Sequence, residues 1–253
     1  MNNLPNNSIG SLATLSKEEI LQRVQTLTDD ELEAVAYRSA VEEVRIAQDD
    51  LHYYLENLVV TQDEHDENHP FKKLPYKEKP YLRELVDLFL TEPLLLIEKS
   101  RQMMVTWLMI ACHVWDAQFH SGRRIFFQSK KELDANALID RAKFIYNNYP
   151  EPHRTIIHTS FPAREPMAYL RLEFPKQKSV IQGTPQGADV LRQYTASRIF
   201  SDEMAFQDRA EEAYVAAKPT IQGGGKFIGC SSPNFRNFFW RVAKDIPSPG
   251  RER

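Results

Sequence analysis

Leu94-Leu-Leu-Ile97-Glu98-Lys99-Ser100-Arg101-Gln102-Met103-Met104-Val105-Thr106-Trp107 joins an apolar run to a helical one through a polar, basic turn. Its first four residues are apolar and predict a short core strand, and the run from Thr106 to Phe119 predicts a buried helix. A strand, a polar turn and a helix in that order direct turn amides and a helix N-terminus at an anion, the architecture of a phosphate-binding loop. The consensus for such a loop is G-x-x-x-x-G-K-[ST]. Aligned on Thr106, it finds Lys99, Met104 and Val105 where Gly, Gly and Lys belong, so the segment also reads as a core helix after a basic turn.

Working outward, strands and helices alternate. Ile125 to Gln128 reads as a strand and Glu132 to Tyr149 as an amphipathic helix. Leu170, Leu172 and Phe174 alternate with polar residues, turn at Lys176 to Lys178 and return along Ser179 to Gln182, which predicts a hairpin. Ser197 to Phe200 and Lys226 to Gly229 add two core strands. This order predicts an α/β fold with a parallel central sheet and crossover helices. Upstream, Ser16 with Glu19 and Thr28 with Glu31 have the capping-box spacing of two helix starts. The second helix carries apolar residues from Leu32 through Val35, Ala40, Val44, Ala47, Leu51 and Leu55 to Leu58. That stripe predicts a face docked on the rest of the protein, or else a partner-binding face. Thr61 to Pro80, polar and aperiodic, reads as a connection into the main domain.

Two further strand ends carry chemistry. Arg198-Ile-Phe-Ser-Asp202-Glu203 closes an apolar strand with two carboxylates, one suited to a magnesium shell and one to accepting a proton from water. Lys226-Phe-Ile-Gly-Cys230-Ser231-Ser232-Pro233-Asn234 closes another with small hydroxyl and amide groups able to hydrogen-bond a γ-phosphate or its water. Taken singly, the first is a common loop pair and the second a turn.

In order and spacing, Lys-Ser-Arg-Gln-x-x-x-Thr-Trp, Ala-Ser-x-Ile-Phe-x-Asp-Glu-x-Ala-Phe and Ser-Ser-Pro-Asn together resemble the ATPase motifs of phage large terminases, over roughly residues 71 to 240. Gln182-Gly-Thr-Pro185 with Ala188, Asp189, Arg192 and Tyr194 is similar to that family's lead into its acidic strand. Phe71, Tyr76, Pro80 and Tyr81 resemble its adenine-side entry. The resemblance implies a P-loop NTPase of the additional-strand type, with helices on both faces of the sheet and an N-terminal helical segment before it. It implies ATP and Mg2+ as cofactors. Lys99 and Arg101 would hold phosphates, with Ser100 and Gln102 beside them in the loop, and Thr106 and Asp202 would hold magnesium. Glu203 would activate water, Arg101 would assist catalysis, and Ser231, Ser232 and Asn234 would link hydrolysis to movement. The implied partners are double-stranded DNA, a procapsid portal protein and a small terminase subunit, in a homo-oligomeric ring in the host cytoplasm. The family commonly has Gly near Met104 and Gln193, and this chain departs from it at both places.

Composition sets the bounds. With 253 residues, 42% hydrophobic and 26% charged, the chain can bury a sizeable core. Its longest apolar stretch, Trp107 to Trp115, falls short of the roughly 20 residues a membrane span needs. Only Cys112 and Cys230 occur, both in apolar contexts, which fits a reducing setting. Residues 1–70 hold 4 Lys+Arg and 15 Asp+Glu, while residues 71–253 hold 28 and 20, so a net of −11 precedes a net of +8. The basic part suits a polyanion or a solvated surface. The organisation expected is an acidic helical segment 1–70, an ATPase domain 71–240 and a polar tail 241–253, with no nuclease carboxylates following. A helicase-like ATPase would need a second motor domain. A degenerate ATPase serving as a structural or DNA-binding subunit is the alternative that Met104 and Val105 suggest. His65 and His69 in the acidic connection read as solvated, and Trp107 and Trp115 as core.

Overall fold

Side chains alternate across the core strands of the computed structural model, which describes residues 16, 26–63, 66–166, 170–186, 191 and 194–245, and the alternation builds two apolar layers. In chain order the elements are α1 (Asp29–Asp49), α2 (Leu51–Asn57), β1 (Val60–Gln62), β2 (Phe71–Lys73), α3 (Pro80–Thr91), β3 (Leu94–Glu98), α4 (Val105–Phe119), β4 (Arg124–Ser129), α5 (Glu132–Asn147) and α6 (His153–Ser160). They continue with β5 (Arg171–Phe174), β6 (Ser179–Pro185), β7 (Arg198–Asp202), a 3-10 turn (Met204–Phe206), α7 (Ala210–Gln222), β8 (Lys226–Ser231) and α8 (Phe238–Asp245). The central sheet runs β3-β8-β7-β4-β6-β5, parallel throughout except for the antiparallel β5–β6 hairpin. Leu95, Ile97, Ile125, Phe127, Phe200 and Ile228 enter the larger apolar layer with α4 and α5. Their strand neighbours Leu94, Leu96, Phe126, Ile199 and Phe227 enter the other, with α7 and the 3-10 turn. Period-two alternation thus covers both sheet faces with helices, as parallel sheets require.

The expected core strands, the buried helix and the hairpin all form. The predicted start at Ser16 with Glu19, the residues His65, Ala188, Asp189, Arg192 and Gln193, and residues 246–253 of the expected tail fall wholly or partly outside the described residues, while residues 241–245 of that tail belong to α8. Two expectations need correction. The helix expected to run from Leu32 to Leu58 is interrupted: α1 ends at Asp50, whose extended backbone lets its carboxylate cap α2 at Tyr53 N, 3.0 Å away. Only the stripe from Ala40 onward is buried, while Leu32 and Val35 stay exposed. The Thr28 box does form, with Glu31 N donating to Thr28 Oγ1 and Thr28 N to Glu31 Oε2. The stretch read as a connection instead holds an antiparallel pair, in which Val60, Thr61 and Gln62 face Lys73, Lys72 and Phe71.

On the floor of the larger layer, His113 of α4 is fully buried among Phe89, Phe127 and Phe200, with ring centroids 5.1, 5.5 and 5.6 Å away. Its Nδ1 lies 2.6 Å from the Met109 carbonyl, and Nε2 has no hydrogen-bond partner among the described residues. Burial, with the Arg198 charge adding to it, pushes its pKa down to about 3. The unfolded chain takes up this proton near pH 6.5 and the native chain only near 3, so stability falls as pH drops through that window. At pH 5 the linkage amounts to about 2 kcal/mol relative to pH 7.5. Phenylalanine fits the aromatic surroundings and binds no proton. His113→Phe is therefore expected to lose less stability than the parent between pH 7.5 and 5 by about this margin, measured by urea unfolding at both pH values.

Candidate active site

The site follows from register. β8 lies between β3 and β7, with Glu98 opposite Ser231 and Asp202 opposite Cys230, so three parallel strands end at one level. Open parallel sheets bind ligands outside these carboxyl ends. Lys99 N donates to the Ser231 carbonyl at 3.0 Å and carries the pairing one residue into the loop.

Beyond Lys99 the chain turns through two residues in left-handed backbone, Gln102 at φ 60° and Met104 at φ 57°. Met104 is the N-cap of α4 and supplies no side-chain cap, which leaves the first helix amides free toward the loop. The Tyr81 hydroxyl, 3.0 Å from the Met103 carbonyl, ties the turn to α3. Val105, where the consensus has lysine, is 3% exposed and packs in the core. Lys99, at the start of the loop, places its Nζ 2.9 Å from Glu203 Oε1.

Glu203 leaves β7 in left-handed backbone, φ 48°, which turns its side chain toward the ends of β3 and β8. Its other oxygen, Oε2, accepts from Ser231 Oγ at 3.3 Å, Ser232 Oγ at 3.2 Å and Ser232 N at 3.4 Å. Burial alone would raise the Glu203 pKa, but the Lys99 ammonium and the Ser232 donors outweigh it and hold the carboxyl below its ordinary value. Burial likewise works to lower the Lys99 pKa, and the acidic groups around it, Cys230, Glu203 and Asp202, outweigh that, so the ammonium is held above its ordinary value. Asp202 sits deeper. It accepts from Thr106 Oγ1 at 3.2 and 3.4 Å and from Cys230 Sγ at 3.4 Å. Burial pushes its carboxyl up, Lys99 opposes the shift in part, and the Glu203 charge adds to it.

Of the residues expected from sequence, Lys99, Glu203, Ser231 and Ser232 form one hydrogen-bonded group at the strand ends, and Thr106 with Asp202 forms a second beside it. Ser100, Arg101 and Gln102 are exposed on the loop, and Arg101 borders a cavity of about 530 Å3 together with Thr106, Asp202, Glu203 and Ser232. Asn234 stands back from the cluster, with its Nδ2 3.1 Å from the Ala205 carbonyl. Sequence reading missed several contributors. Gln207 donates to Ser201 Oγ at 3.0 Å and to the Asp202 carbonyl at 2.8 Å, and Asn237 donates to the Ala205 carbonyl at 2.6 Å. Thr61, Gln62, Lys72 and Lys73 of the β1–β2 pair line a cavity of about 610 Å3 with Lys99 and Thr106. The signal for these was the switch, within the connection, from the acidic run Asp63 to Glu67 to the lysines Lys72, Lys73, Lys77 and Lys79. Trp115 is core, its Nε1 2.7 Å from the Ala47 carbonyl, and Trp107 packs edge-on to Phe144.

Among the described residues no group of three or more His, Cys, Asp or Glu is placed to hold a metal. Magnesium in phosphate sites is held by one or two carboxylates and hydroxyls, and substrate oxygens and water supply the rest. The adjacent Thr106 hydroxyl and the desolvated Asp202 carboxylate match that donor set.

The strand order is that of a P-loop-like NTPase of the additional-strand type, β8 being the added strand between the loop strand and the acidic strand. The fold is shared with the HK97 bacteriophage large terminase, at a TM-score of 0.57 and 11% identity, over 78% of this chain and 40% of that one. The Thermus phage P74-26 large terminase ATPase domain is a looser likeness, at a TM-score of 0.44 and 16% identity, over 58% of this chain and 62% of that one. So is a large terminase from a thermophilic bacteriophage in complex with ATP-gamma-S, at 0.43 and 12%, over 64% and 39%. This chain thus spans well under two thirds of the length of the HK97 terminase. No family model and no curated protein matches it.

Left-handed backbone at Met104 costs a residue with a Cβ about 1–2 kcal/mol, and glycine avoids that cost. Met104→Gly and Met104→Ala lose the same packing, so Met104→Gly is expected to be the more stable of the two by about 1 kcal/mol in chemical unfolding. Equal stabilities, or the reverse order, would count against this backbone at the loop.

Proposed function

We propose that this chain is the ATP-hydrolysing part of a viral DNA-packaging motor, the ATPase module of a large terminase. The observation that carries the reading is the Lys99–Glu203 pair, 2.9 Å apart at the ends of β3 and β7, beside the Thr106–Asp202 pair. The HK97 terminase fold supports the reading. ATP and Mg2+ are the proposed cofactors. Double-stranded DNA, a portal protein and a small terminase subunit are the proposed partners, in a homo-oligomeric ring in the host cytoplasm. The proposed ATPase unit spans 71–240, after an acidic segment 1–70. No helix among the described residues is long and apolar enough to cross a membrane.

The chemistry follows from charge. Magnesium held by Thr106 and Asp202 would neutralise developing charge on the phosphates. The amides at the start of α4 and the Arg101 guanidinium offer donors to phosphate oxygens. A γ-phosphate entering between Lys99 and Glu203 competes for the ammonium. As Lys99 turns to it, Glu203 loses the partner that depresses its pKa and becomes the stronger base, free to take a proton from the attacking water. Ser231 and Ser232 keep Glu203 in place during that exchange.

In this reading Glu203→Gln keeps the shape and removes the proton acceptor, so hydrolysis is expected to fall roughly a hundredfold or more while ATP binding stays within a few-fold. Turnover at the parent rate would end the assignment. Lys99→Ala removes a charge-assisted contact worth roughly 1.5–3 kcal/mol and is expected to weaken ATP binding about tenfold or more, with Arg101→Ala weaker in effect. Val105→Ala should leave affinity unchanged, because that side chain lies in the core. Equal and small effects from all three in folded protein would instead favour a degenerate ATPase kept as a structural subunit.

A further inference from the structure

Ser232 to Asn237 joins β8 to α8, and at the tip of this connection Phe235 combines two costs. Its backbone is left-handed, φ 39°, and its ring is 95% exposed. A bulky residue in that region is a steric outlier, and such strain collects where a segment must meet a ligand. Nothing in the fold offsets it through burial of the ring. The turn is also fastened to the catalytic strand. Asn234 and Arg236 bridge across Phe235, and Asn234 and Asn237 both donate to the Ala205 carbonyl, at 3.1 and 2.6 Å. Ala205 lies two residues beyond Glu203, and its amide donates to Ser231 Oγ at 3.1 Å, the same hydroxyl that reaches Glu203.

The cations beside the exposed ring are arranged around an aromatic plate. The Arg236 guanidinium lies 5.4 Å from the Trp240 ring centroid and Lys244 Nζ lies 4.2 Å from it. Arg241 pairs with Glu211 at 3.0 Å, whereas Arg236 and Lys244 have no carboxylate partner among the described residues. Unpaired cations held on an aromatic, next to a ring presented to solvent, suit a duplex backbone: the cations meet phosphates and the ring packs on deoxyribose. An apolar peptide would use the ring but leave both charges unmatched.

We infer that Phe235 and Arg236, backed by Trp240 and Lys244, are the contact through which duplex DNA is gripped and its load passed to Glu203. The inference rests on the proposed motor function, but its binding arm can be tested without ATP. The full chain would be titrated with a fluorescent duplex of about 30 base pairs across a salt series, and ATP turnover would be measured with and without DNA. Arg236→Glu should weaken duplex binding about tenfold and lower the salt slope by about 1. Phe235→Ala, which removes an uncharged sugar contact, should weaken binding several-fold at an unchanged slope, and both variants should keep the DNA-free ATPase rate within about twofold while losing stimulation by DNA. Phe235→Gly, which relieves the backbone strain, serves as the folding control and should bind as weakly as Phe235→Ala. Parent-like duplex affinity in all three folded variants would overturn the inference and leave the ATPase reading standing. Parent-like duplex affinity with lost capture of purified portal protein would overturn it in favour of a protein partner. A parent chain without any ATP turnover would strike at the motor reading, while the duplex titration would still decide the contact.

Discussion

β8 separates β3 from β7, so Lys99 and Glu203 start from strands two spacings apart, about 9.6 Å. Only long side chains converging from both sides close that distance. Lys99 leaves the end of β3 and Glu203 the end of β7, and they meet above β8 at 2.9 Å. The residues beneath them are small: Gly229, Cys230 and Ser231. A Cβ at Gly229 would lie 2.7 Å from Met204 Sδ and from Leu96 Cδ2, so glycine there lets the turn after Glu203 settle on β8. The inserted strand therefore dictates a lysine at the start of the loop, small residues on β8, and a carboxylate turned back by a left-handed residue.

The opposite end of the sheet has its own anchor. Asp116 of α4 is buried and meets Arg198 at 2.5 Å and Arg123 at 3.2 Å, at the entry to β7 and just before β4. Burial works to raise its pKa, and the two guanidiniums hold it below the ordinary value instead. Removing one partner of such a buried pair typically costs about 3–5 kcal/mol, because the other charge is left uncompensated. α4 is thus fixed at its C-terminal half by this ion cluster and at its N-terminal end by Thr106 on Asp202. Both attachments reach β7, so the loop helix and the acidic strand hold one another in register.

The sequence was legible wherever an element buries one clear face. β3, β4, β7 and β8 are short apolar runs ended by polar turns, and α4 is apolar nearly all round, so each could be read from pattern. The β1–β2 pair could not, because its strands have three residues each and every residue of β2 is exposed. Such strands owe their form to pairing across a turn and leave no periodic trace. The interruption of the N-terminal helix did leave one, the Asp50 cap, but it was overshadowed by an apolar stripe that continues in phase through both helices. In the site, the carboxylates and serines were legible from their places at strand ends. Gln207 and Asn237 were not, since a side-chain amide that bonds main-chain oxygens looks in sequence like any loop residue.

The loop shows why a consensus can fail while its geometry persists. What a phosphate loop requires is left-handed backbone near the helix start, free amides on the first turn and a nearby cation. Glycine supplies the first at least cost, but Met104 adopts the same region at φ 57°. The cation of the consensus comes from the helix start, where this chain has buried Val105 in the core. A positive charge at Lys99 has other neighbours than one on the helix: at the end of β3 it faces Glu203, and on the proposed function it would face the phosphates as well. On the proposed function, one residue would then both neutralise the phosphates and restrain the base. With Val105 buried, the ammonium nearest Glu203 is that of Lys99, and together with the Ser232 donors it holds the Glu203 carboxyl below its ordinary value against the effect of burial.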